Sequence, residues 1–476
     1  MDDLLRIDDR TITDLEEIDV DVCSTADSKV PLHRLCELIG GAAVAARASL
    51  RSLRLSGPLH LGVIFQMLAP WASCFTQLEA VVLSRGAADW QPAVAAGVLR
   101  ELPALRRLQI RFSFDGEEPP EGLLSLLLPS GPAAAPGAAM DARLGMPQLQ
   151  HLALIFPPRS VLPPTAPPPD ALSTLTQLTA LKLMRYPATS VPSLASLTNL
   201  RHLLWDPALP ADEPYETPAG MERLTQLECL WLVTKLPLQL PASLAANLQG
   251  LHVMIRGQRE DGLQQQRWDW LVPFAQLSSL RLQSCALREL PPEVASMSQL
   301  TRLDLMVNHL EELPSGPYLR RLQYIHLGNN RFSRFPSALL EAKHLVAAYL
   351  ANQSCSSTSG TSSPGSSGGG SGATSATMRF GTGFTRRMEL HESDVKRLLR
   401  LRHLQTLVMG NLQPEVILQG PARQDFSWLQ RYLRQGSGAR LTSNELAYPL
   451  HSKEVFEIPP LLPGSGSSSS GGSSDG

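Results

Sequence analysis

Apolar residues recur along the middle of the chain at a fixed spacing. From residue 277 to residue 345, Leu, Ile or Phe stands at offsets 0, 3, 5, 10 and 13 of each unit, and Asn or Cys stands at offset 8. Successive units begin 23, 22 and 23 residues apart, and each is followed by proline. The three units are Leu277, Leu280, Leu282, Cys285, Leu287 and Leu290; Leu300, Leu303, Leu305, Asn308, Leu310 and Leu313; and Leu322, Ile325, Leu327, Asn330, Phe332 and Phe335. Such repetition predicts a protein made by stacking one structural unit.

The spacing also predicts the form of each unit. Offsets 3 and 5 differ by two, so their side chains share one face of a short strand, and we expect that face to point into the core. Asn or Cys at offset 8 can satisfy backbone groups where the chain turns away. One unit cannot bury its apolar face alone, but a stack buries a continuous core. We therefore expect Leu280, Leu303 and Ile325 to be buried on adjacent parallel strands.

The same strand signature recurs on both sides of this block. Together with the three clear units it gives thirteen, and a fourteenth is predicted near the start, at Leu15/Ile18/Val20. The others are Leu50/Leu53/Leu55, Leu78/Val81/Leu83, Leu105/Leu108/Ile110, Leu149/Leu152/Leu154, Leu178/Leu181/Leu183, Leu200/Leu203/Trp205, Leu227/Leu230/Leu232, Leu248/Leu251/Val253, Leu345/Ala348/Leu350 and Leu404/Leu407/Met409. Several units lack Asn at offset 8 and must stabilise that turn in another way; the residues there are Pro58, Gly86, Tyr186 and Lys235.

The pattern LxxLxLxxNxL in residues 277–353 resembles the leucine-rich-repeat family. Its LxxLP ending is similar to the intracellular Ras-suppressor-like and plant Ras-group-related subclass. The resemblance implies an α/β fold: a leucine-rich-repeat solenoid, shaped as a curved horseshoe. A parallel β-sheet would line its concave face, and loops and short helices its convex side. It also implies a protein that works by binding other proteins.

Breaks in the period divide the chain into five predicted segments. Residues 1–49 hold the degenerate first repeat and a helix near 31–48, and residues 50–353 form the repeat array. Residues 354–377, rich in Ser and Gly, are expected to be disordered, as is the tail 464–476. Residues 378–463 would hold the last repeat and a helical cap formed by 386–403 and 424–435. Two further insertions, 112–146 and 156–170, are rich in proline.

Composition narrows the choice of partner and compartment. The net charge of -2 gives no reason to expect nucleic acid or an anionic membrane. No apolar run of about 18 residues predicts a membrane span, and the acidic start, Met-Asp-Asp, does not resemble a signal peptide. The six cysteines have no zinc-ligand spacing. We expect a monomeric array in the cytoplasm, including the cytoskeleton or the axoneme of a cilium.

No motif for catalysis is found. The chain contains no phosphate-binding loop, HExxH, GxSxG or kinase signature, and its eleven histidines are scattered. We therefore predict a protein that is not an enzyme and has no catalytic residues, metal ligands or cofactor.

The candidate site is instead the concave face of the later strands. Offsets 2, 4 and 6 alternate with the buried positions and so face outward. The offsets hold aromatic and charged side chains of the kinds enriched at binding hot spots: Trp231, His252, Arg281, Asp304, His326 and Tyr349 at offset 4, and Arg302 and Tyr324 at offset 2. We expect these residues to be exposed to a partner. The alternative is that a loop, such as the 207–219 insertion, covers them.

Three classes of function remain. The first is a protein-binding scaffold or adaptor. The second is an F-box-like substrate receptor of a ubiquitin ligase, which requires an N-terminal helical module that the sequence does not show. The third is an axonemal or cytoskeletal component, because the repeat class also resembles dynein-associated light chains.

Overall fold

The computed structural model describes residues 14–22, 31–84, 91–112, 146, 148–156, 172, 174–186, 193–207, 218–234, 238–255, 267–350, 353, 401, 403–404, 406–409 and 416–417. All of them lie in the first of two compact units, residues 1–441. The predicted disordered segments 354–377 and 464–476 and the predicted capping helix 424–435 lie outside the described residues. So do residues 386–400 of the other capping helix, and most of the two proline-rich insertions.

Within the described residues, fifteen strands form one sheet in which the order in space is the order in sequence. Strands β1 to β14 pair in parallel, and β15 pairs antiparallel with β14. The strands are β1 (Glu17–Asp21), β2 (Ser52–Ser56), β3 (Ala80–Ser84), β4 (Arg107–Arg111), β5 (His151–Ile155), β6 (Ala180–Tyr186), β7 (His202–Pro207), β8 (Cys229–Thr234), β9 (Gly250–Ile255), β10 (Ser279–Gln283), β11 (Arg302–Asp304), β12 (Tyr324–His326), β13 (Ala347–Tyr349), β14 (Thr406–Met409) and β15 (Val416–Ile417). A parallel strand therefore occurs at each of the fourteen predicted positions, including the one near residue 18.

The inward face of the sheet forms the core. Leu280 pairs with Leu303, and Leu303 pairs with Ile325. The exposed fractions of these side chains are 1%, 1% and 0%. The prediction of a stacked apolar column is confirmed, and the fold is an open leucine-rich-repeat solenoid.

The side of each unit away from the sheet is helical. The α-helices are α1 (Leu32–Ala45), α2 (Leu61–Leu68), α3 (Pro92–Glu101) and α4 (Pro292–Ala295). Short 3-10 helices take their place elsewhere, at Ala69–Cys74, Met221–Arg223, Ala242–Ala246, Asp269–Phe274, Pro317–Leu319 and Ser337–Glu341. The helix predicted near 31–48 is α1, which buries Leu35, Ile39 and Ala43 at helical spacing. None of the described helices is long and apolar enough to span a bilayer.

A ladder of amide side chains stabilises the turn after each of the later strands. Oδ1 of Asn308 accepts hydrogen bonds from the N–H groups of Cys285 and Leu287, at 3.0 and 3.1 Å. Its Nδ2 donates to the carbonyls of Leu282 and Leu305, at 2.7 and 2.9 Å. One buried side chain thus satisfies backbone groups of two successive repeats.

The ladder continues beyond Asn308. Asn330 repeats the arrangement one unit later: it accepts from Leu310 N–H and donates to the carbonyl of Leu327. At the next offset 8, Gln353 accepts from Phe332 N–H and donates to the same carbonyl of Leu327. The longer amide of glutamine therefore replaces asparagine at the end of the ladder.

The residue before the ladder position adopts the left-handed backbone conformation. The φ angles of Ser284, Val307 and Asn329 are 55°, 58° and 54°. This conformation is costly for a β-branched residue such as Val307. It turns the chain sharply enough to bring the amide at offset 8 under the strands, so the amide's hydrogen bonds offset the backbone strain.

Aromatic rings serve the same turn in the middle repeats. Phe112 and Phe156 stack at 4.9 Å between ring centroids, Phe156 meets Tyr186 at 5.9 Å, and Tyr186 meets Trp205 at 5.9 Å. All four side chains are buried. Tyr186, one of the irregular offset-8 residues, therefore fills its turn by packing. Gly86 and Lys235 lie outside the described residues.

The amide ladder leads to the first prediction. Replacing Asn308 with Ala removes hydrogen bonds from buried backbone groups of two repeats, so it should lower the free energy of unfolding by about 3 kcal/mol or more. The matched control is Asn247→Ala, because the amide of Asn247 is exposed and donates to a single carbonyl, that of Thr225. Urea denaturation measures both. Equal losses in the two variants would show that the ladder adds nothing to stability.

Candidate functional site

The predicted site residues form one row across six neighbouring strands. The register pairs Trp231 with His252, His252 with Arg281, and Arg281 with Asp304. It then pairs Asp304 with His326, and His326 with Tyr349. Parallel strands lie about 4.8 Å apart, so the row is roughly 24 Å long. We call these six residues the concave row.

Aromatic stacking begins the concave row. The rings of Trp231 and His252 lie 3.9 Å apart between centroids, tilted by 39°. The guanidinium carbon of Arg281 lies 5.9 Å from the centre of the Trp231 ring, within range of a cation–π contact. Burial lowers the pKa of His252 well below its usual value, and the charge of Arg281 lowers it further, while the side chain of Gln283 acts in the opposite direction. The imidazole is therefore neutral at physiological pH.

An ion pair forms the centre of the row. Nε of Arg281 lies 2.7 Å from Oδ2 of Asp304, and the two side chains are only 19% and 13% exposed. The other carboxylate oxygen, Oδ1, accepts from the N–H of Met306 at 3.0 Å. Both oxygens of Asp304 therefore have partners, and the pair is a fixed part of the surface.

Two further contacts complete this part of the face. His326 and Tyr349 stack with their ring centroids 5.5 Å apart. Nδ1 of His326 accepts from Gly328 N–H at 3.3 Å, so its separation of 3.8 Å from Asp304 is a contact between polar atoms rather than an ion pair. In the neighbouring column, the exposed guanidinium of Arg302 lies 5.2 Å over the ring of Tyr324.

The expectation that the row is exposed is wrong, because two of its six residues are buried and the other four are half-buried. His252 and Tyr349 are each 7% exposed, and Trp231 is half-buried. The physical reason is the strand spacing, because large side chains on adjacent parallel strands contact one another. Residues 208–217 of the 207–219 insertion, the alternative cover of this face, lie outside the described residues.

Sequence reasoning passed over the earlier half of the face, where the column looks plain. There Arg107 on β4, His151 on β5 and Lys182 on β6 lie on neighbouring strands. The sequence signal that could have identified them is the charge of the outward positions. On β4 to β6 these positions contain basic residues and no carboxylate.

The described residues contain no group of three or more His, Cys, Asp or Glu side chains that could hold a metal ion. Among the same residues, Cys36 and Cys285 are buried cysteines, and burial raises the pKa of the Cys285 thiol. The arrangement of the concave row is one of packed rings, one ion pair and backbone-satisfied polar atoms, which suits recognition of another surface.

Comparisons with known proteins find partial similarities. No protein-family model matches the chain. A curated relative, the volume-regulated anion channel subunit LRRC8D of Rattus norvegicus, is 25% identical over 238 residues, which is 40% of this chain and 28% of LRRC8D. The match therefore spans less than a third of that protein.

Two solved structures from Listeria monocytogenes are also similar. An internalin, InlF, is 15% identical with a TM-score of 0.41, and the match covers 82% of this chain and 94% of that one. The functional domain of InlJ is 16% identical with a TM-score of 0.36, over 72% and 69% of the two chains. The repeats and the parallel sheet of this chain themselves show the leucine-rich-repeat fold.

The ion pair gives a second prediction. Asp304→Ala should lower the free energy of unfolding by about 1–3 kcal/mol, because it leaves the Arg281 guanidinium partly buried without its carboxylate. In the control, Glu228→Ala breaks the more exposed pair with Arg201 and should cost less than about 1 kcal/mol. Replacing both Arg281 and Asp304 with apolar residues, Met and Leu, should recover most of the loss. A double variant no more stable than Asp304→Ala would contradict this account.

The buried imidazole gives a third prediction. Because the folded pKa of His252 lies below its unfolded value, the unfolded chain binds more protons below about pH 6.5. Stability is therefore fully present above that pH and falls as the pH is lowered, by up to about 1.4 kcal/mol per unit from one histidine. His252→Phe keeps a ring beside Trp231 and should make the fall between pH 7 and pH 5 shallower. Denaturant titrations across this range measure it, and an unchanged slope would count against the assignment.

Proposed function

We propose that this chain is a non-catalytic protein-binding scaffold or adaptor that uses its concave face. The observation that carries the proposal is the concave row itself. It brings two aromatic side chains, an arginine and a carboxylate into one register on a rigid sheet, and aromatic residues and arginine are enriched at the centres of protein interfaces.

The internal contacts of the row favour binding. Trp231 is held by His252, and Arg281 is held by Asp304. Side chains that are already ordered lose less conformational entropy when a partner docks, so more of the contact energy appears as affinity. At roughly 24 Å, the row is long enough for a helix or an extended segment of a partner.

Arg302 and Tyr324 extend the same surface. Arg302 is exposed and Tyr324 is half-buried, so both remain accessible beside the more buried residues of the row. We assign Trp231 to apolar anchoring, and Arg302 and Tyr324 to the more accessible flank; Tyr349 supports the row by stacking on His326.

The finer assignments stay predictions from the sequence. They are the LxxLP subclass, the ubiquitin-ligase receptor, the axonemal or cytoskeletal component, the monomeric state and the cytoplasmic location. None of the contacts in the described residues favours one of these over the adaptor. They differ in the partner that each would bind.

The test compares variants of the face with a variant away from it. Trp231→Ala should weaken binding of a partner by about 2 kcal/mol or more, and Arg302→Ala should weaken it as well. Arg320→Ala, which removes an exposed arginine after the helix Pro317–Leu319, is the matched control. Quantitative affinity capture identifies the partner, and calorimetry with the purified partner then measures the dissociation constants.

Thermal melts of the same variants separate binding from stability. If Trp231→Ala and Arg302→Ala melt like the wild type and keep every partner, the concave face is not the binding surface. If Trp231→Ala loses stability but no partner, its ring serves an internal contact instead.

A further inference from the structure

The concave face carries a second group of residues, on strands β4 to β6. Arg107 pairs in register with His151. Lys182 lies in the central column, separated from Gln109 on β4 by Ala153 on β5. These side chains therefore share one face within about 10 Å across the strands. We call Arg107, His151 and Lys182 the basic patch.

The two permanent charges of the basic patch have no counter-charge within ion-pair distance in the described part of the chain. Neither Arg107 nor Lys182 is among the ion pairs found there. Two other arginines on the sheet do have carboxylate partners: Arg54 lies 3.4 Å from Glu17, and Arg281 lies 2.7 Å from Asp304. Among the described residues, the basic patch therefore has no carboxylate within ion-pair distance of Arg107 or Lys182.

The surroundings of the basic patch are electropositive. Burial lowers the pKa of Lys182, and the charge of Arg111 lowers it further. Burial, Arg107 and His202 together lower the pKa of His151 to about 4. Burial of the guanidinium lowers the pKa of Arg107. The carboxylate of Glu79 raises this pKa, and the charge of Arg54 lowers it further. Partly buried charge of one sign is unfavourable until an opposite charge matches it.

The basic patch continues into the concave row. Next to Lys182 in the central column lies Leu204, which is 2% exposed, and next to Leu204 lies Trp231. A segment lying across the strands would meet positive charge first and the aromatic ring afterwards.

We propose that the basic patch binds an acidic segment of the protein partner, with Asp or Glu carboxylates at Lys182 and Arg107 and the rest of the segment on the concave row. This inference rests on the proposed function and adds the chemistry of the partner. A charge-assisted contact between a carboxylate and a partly buried lysine is stronger than one at a fully exposed site.

Nucleic acid fits the same face less well. The first strand presents Glu17, Asp19 and Asp21 beside β2, and these carboxylates would repel a phosphate backbone that tracked along the sheet. A polyanion also requires an extended basic surface, whereas the column beyond Lys182 turns apolar at Leu204. A short acidic segment is the occupant that the charges match.

The experiment uses the full chain and a fluorescein-labelled twelve-residue peptide of alternating Glu and Gly, followed by anisotropy. The wild type should bind this probe more tightly than a peptide with Gln in place of Glu, and binding should weaken as salt is raised. Lys182→Met keeps the aliphatic stem and should weaken binding about tenfold. Lys182→Arg, which restores the charge, should recover most of it.

Lys343→Met is the matched control. Lys343 is exposed on the turn before β13, so this variant makes the same change in net charge away from the sheet and should bind the probe like the wild type. Circular dichroism and a thermal melt establish that each variant is folded.

Several outcomes would overturn the proposal. Equal binding by Lys182→Met and Lys343→Met would show attraction to overall charge only. Tighter Lys182-dependent binding of a single-stranded RNA oligomer than of the Glu peptide would point to nucleic acid. One acidic stretch of the chain itself contains Asp115, Glu117, Glu118 and Glu121. If neutralising that stretch strengthens probe binding, the chain itself occupies the patch and a partner is not the occupant.

The two proposals can fail separately. The probe reports on the basic patch without any partner, whereas the capture experiment with Trp231→Ala reports on the concave row. If the probe does not bind, the capture result for the concave row still stands. If Trp231→Ala loses no partner, the probe result for the basic patch still stands.

Discussion

The fixed register between neighbouring parallel strands is the constraint on which the rest of this structure depends. Neighbouring repeats are joined at the backbone carbonyl of offset 1 in the earlier repeat, which accepts hydrogen bonds from two N–H groups of the next. The carbonyl of Gln249, for example, accepts from the N–H groups of Ser278 and Ser279, at 2.9 and 3.0 Å. Because this junction recurs from β1 to β13, offset 3 of each of these strands meets offset 3 of the next. The inward columns therefore stack into one core, and the outward columns stack into one face.

The turn after the strand can be stabilised in more than one way, provided that this register is kept. In the later repeats, Asn308, Asn330 and Gln353 bond to backbone groups of two units at once. In the middle repeats, Phe112, Phe156, Tyr186 and Trp205 fill the same region with rings. The amide side chains stabilise the backbone through directional hydrogen bonds, whereas the aromatic side chains stabilise it by filling space. The irregular period of the middle repeats is thus compatible with an unbroken sheet.

The same register shapes the concave face. Strand spacing places side chains of equal offset in contact, so Trp231 rests on His252 and Arg281 pairs with Asp304. These contacts pack the later part of the face and give the charges of Arg281 and Asp304 partners within it. The earlier part differs, because Arg107 and Lys182 stand in register with residues that carry no opposite charge. One face thus combines an ordered apolar anchor with unmatched positive charge, which is the basis for proposing a protein partner with an acidic segment.

The repeat, the position of each strand and the side of the strand on which each residue lies can all be read from the sequence. These follow from alternation along a single segment, which is why even the degenerate unit at Ile18 was predicted and found. Only the tertiary structure decided what each outward side chain meets. The burial of His252 and Tyr349, the pairing of Arg281 with Asp304 and the use of Gln353 in the amide ladder all depend on residues more than twenty positions away. Periodicity along the chain tells which face a residue occupies, but the neighbour across the strand comes from another repeat, and its size and charge set the environment.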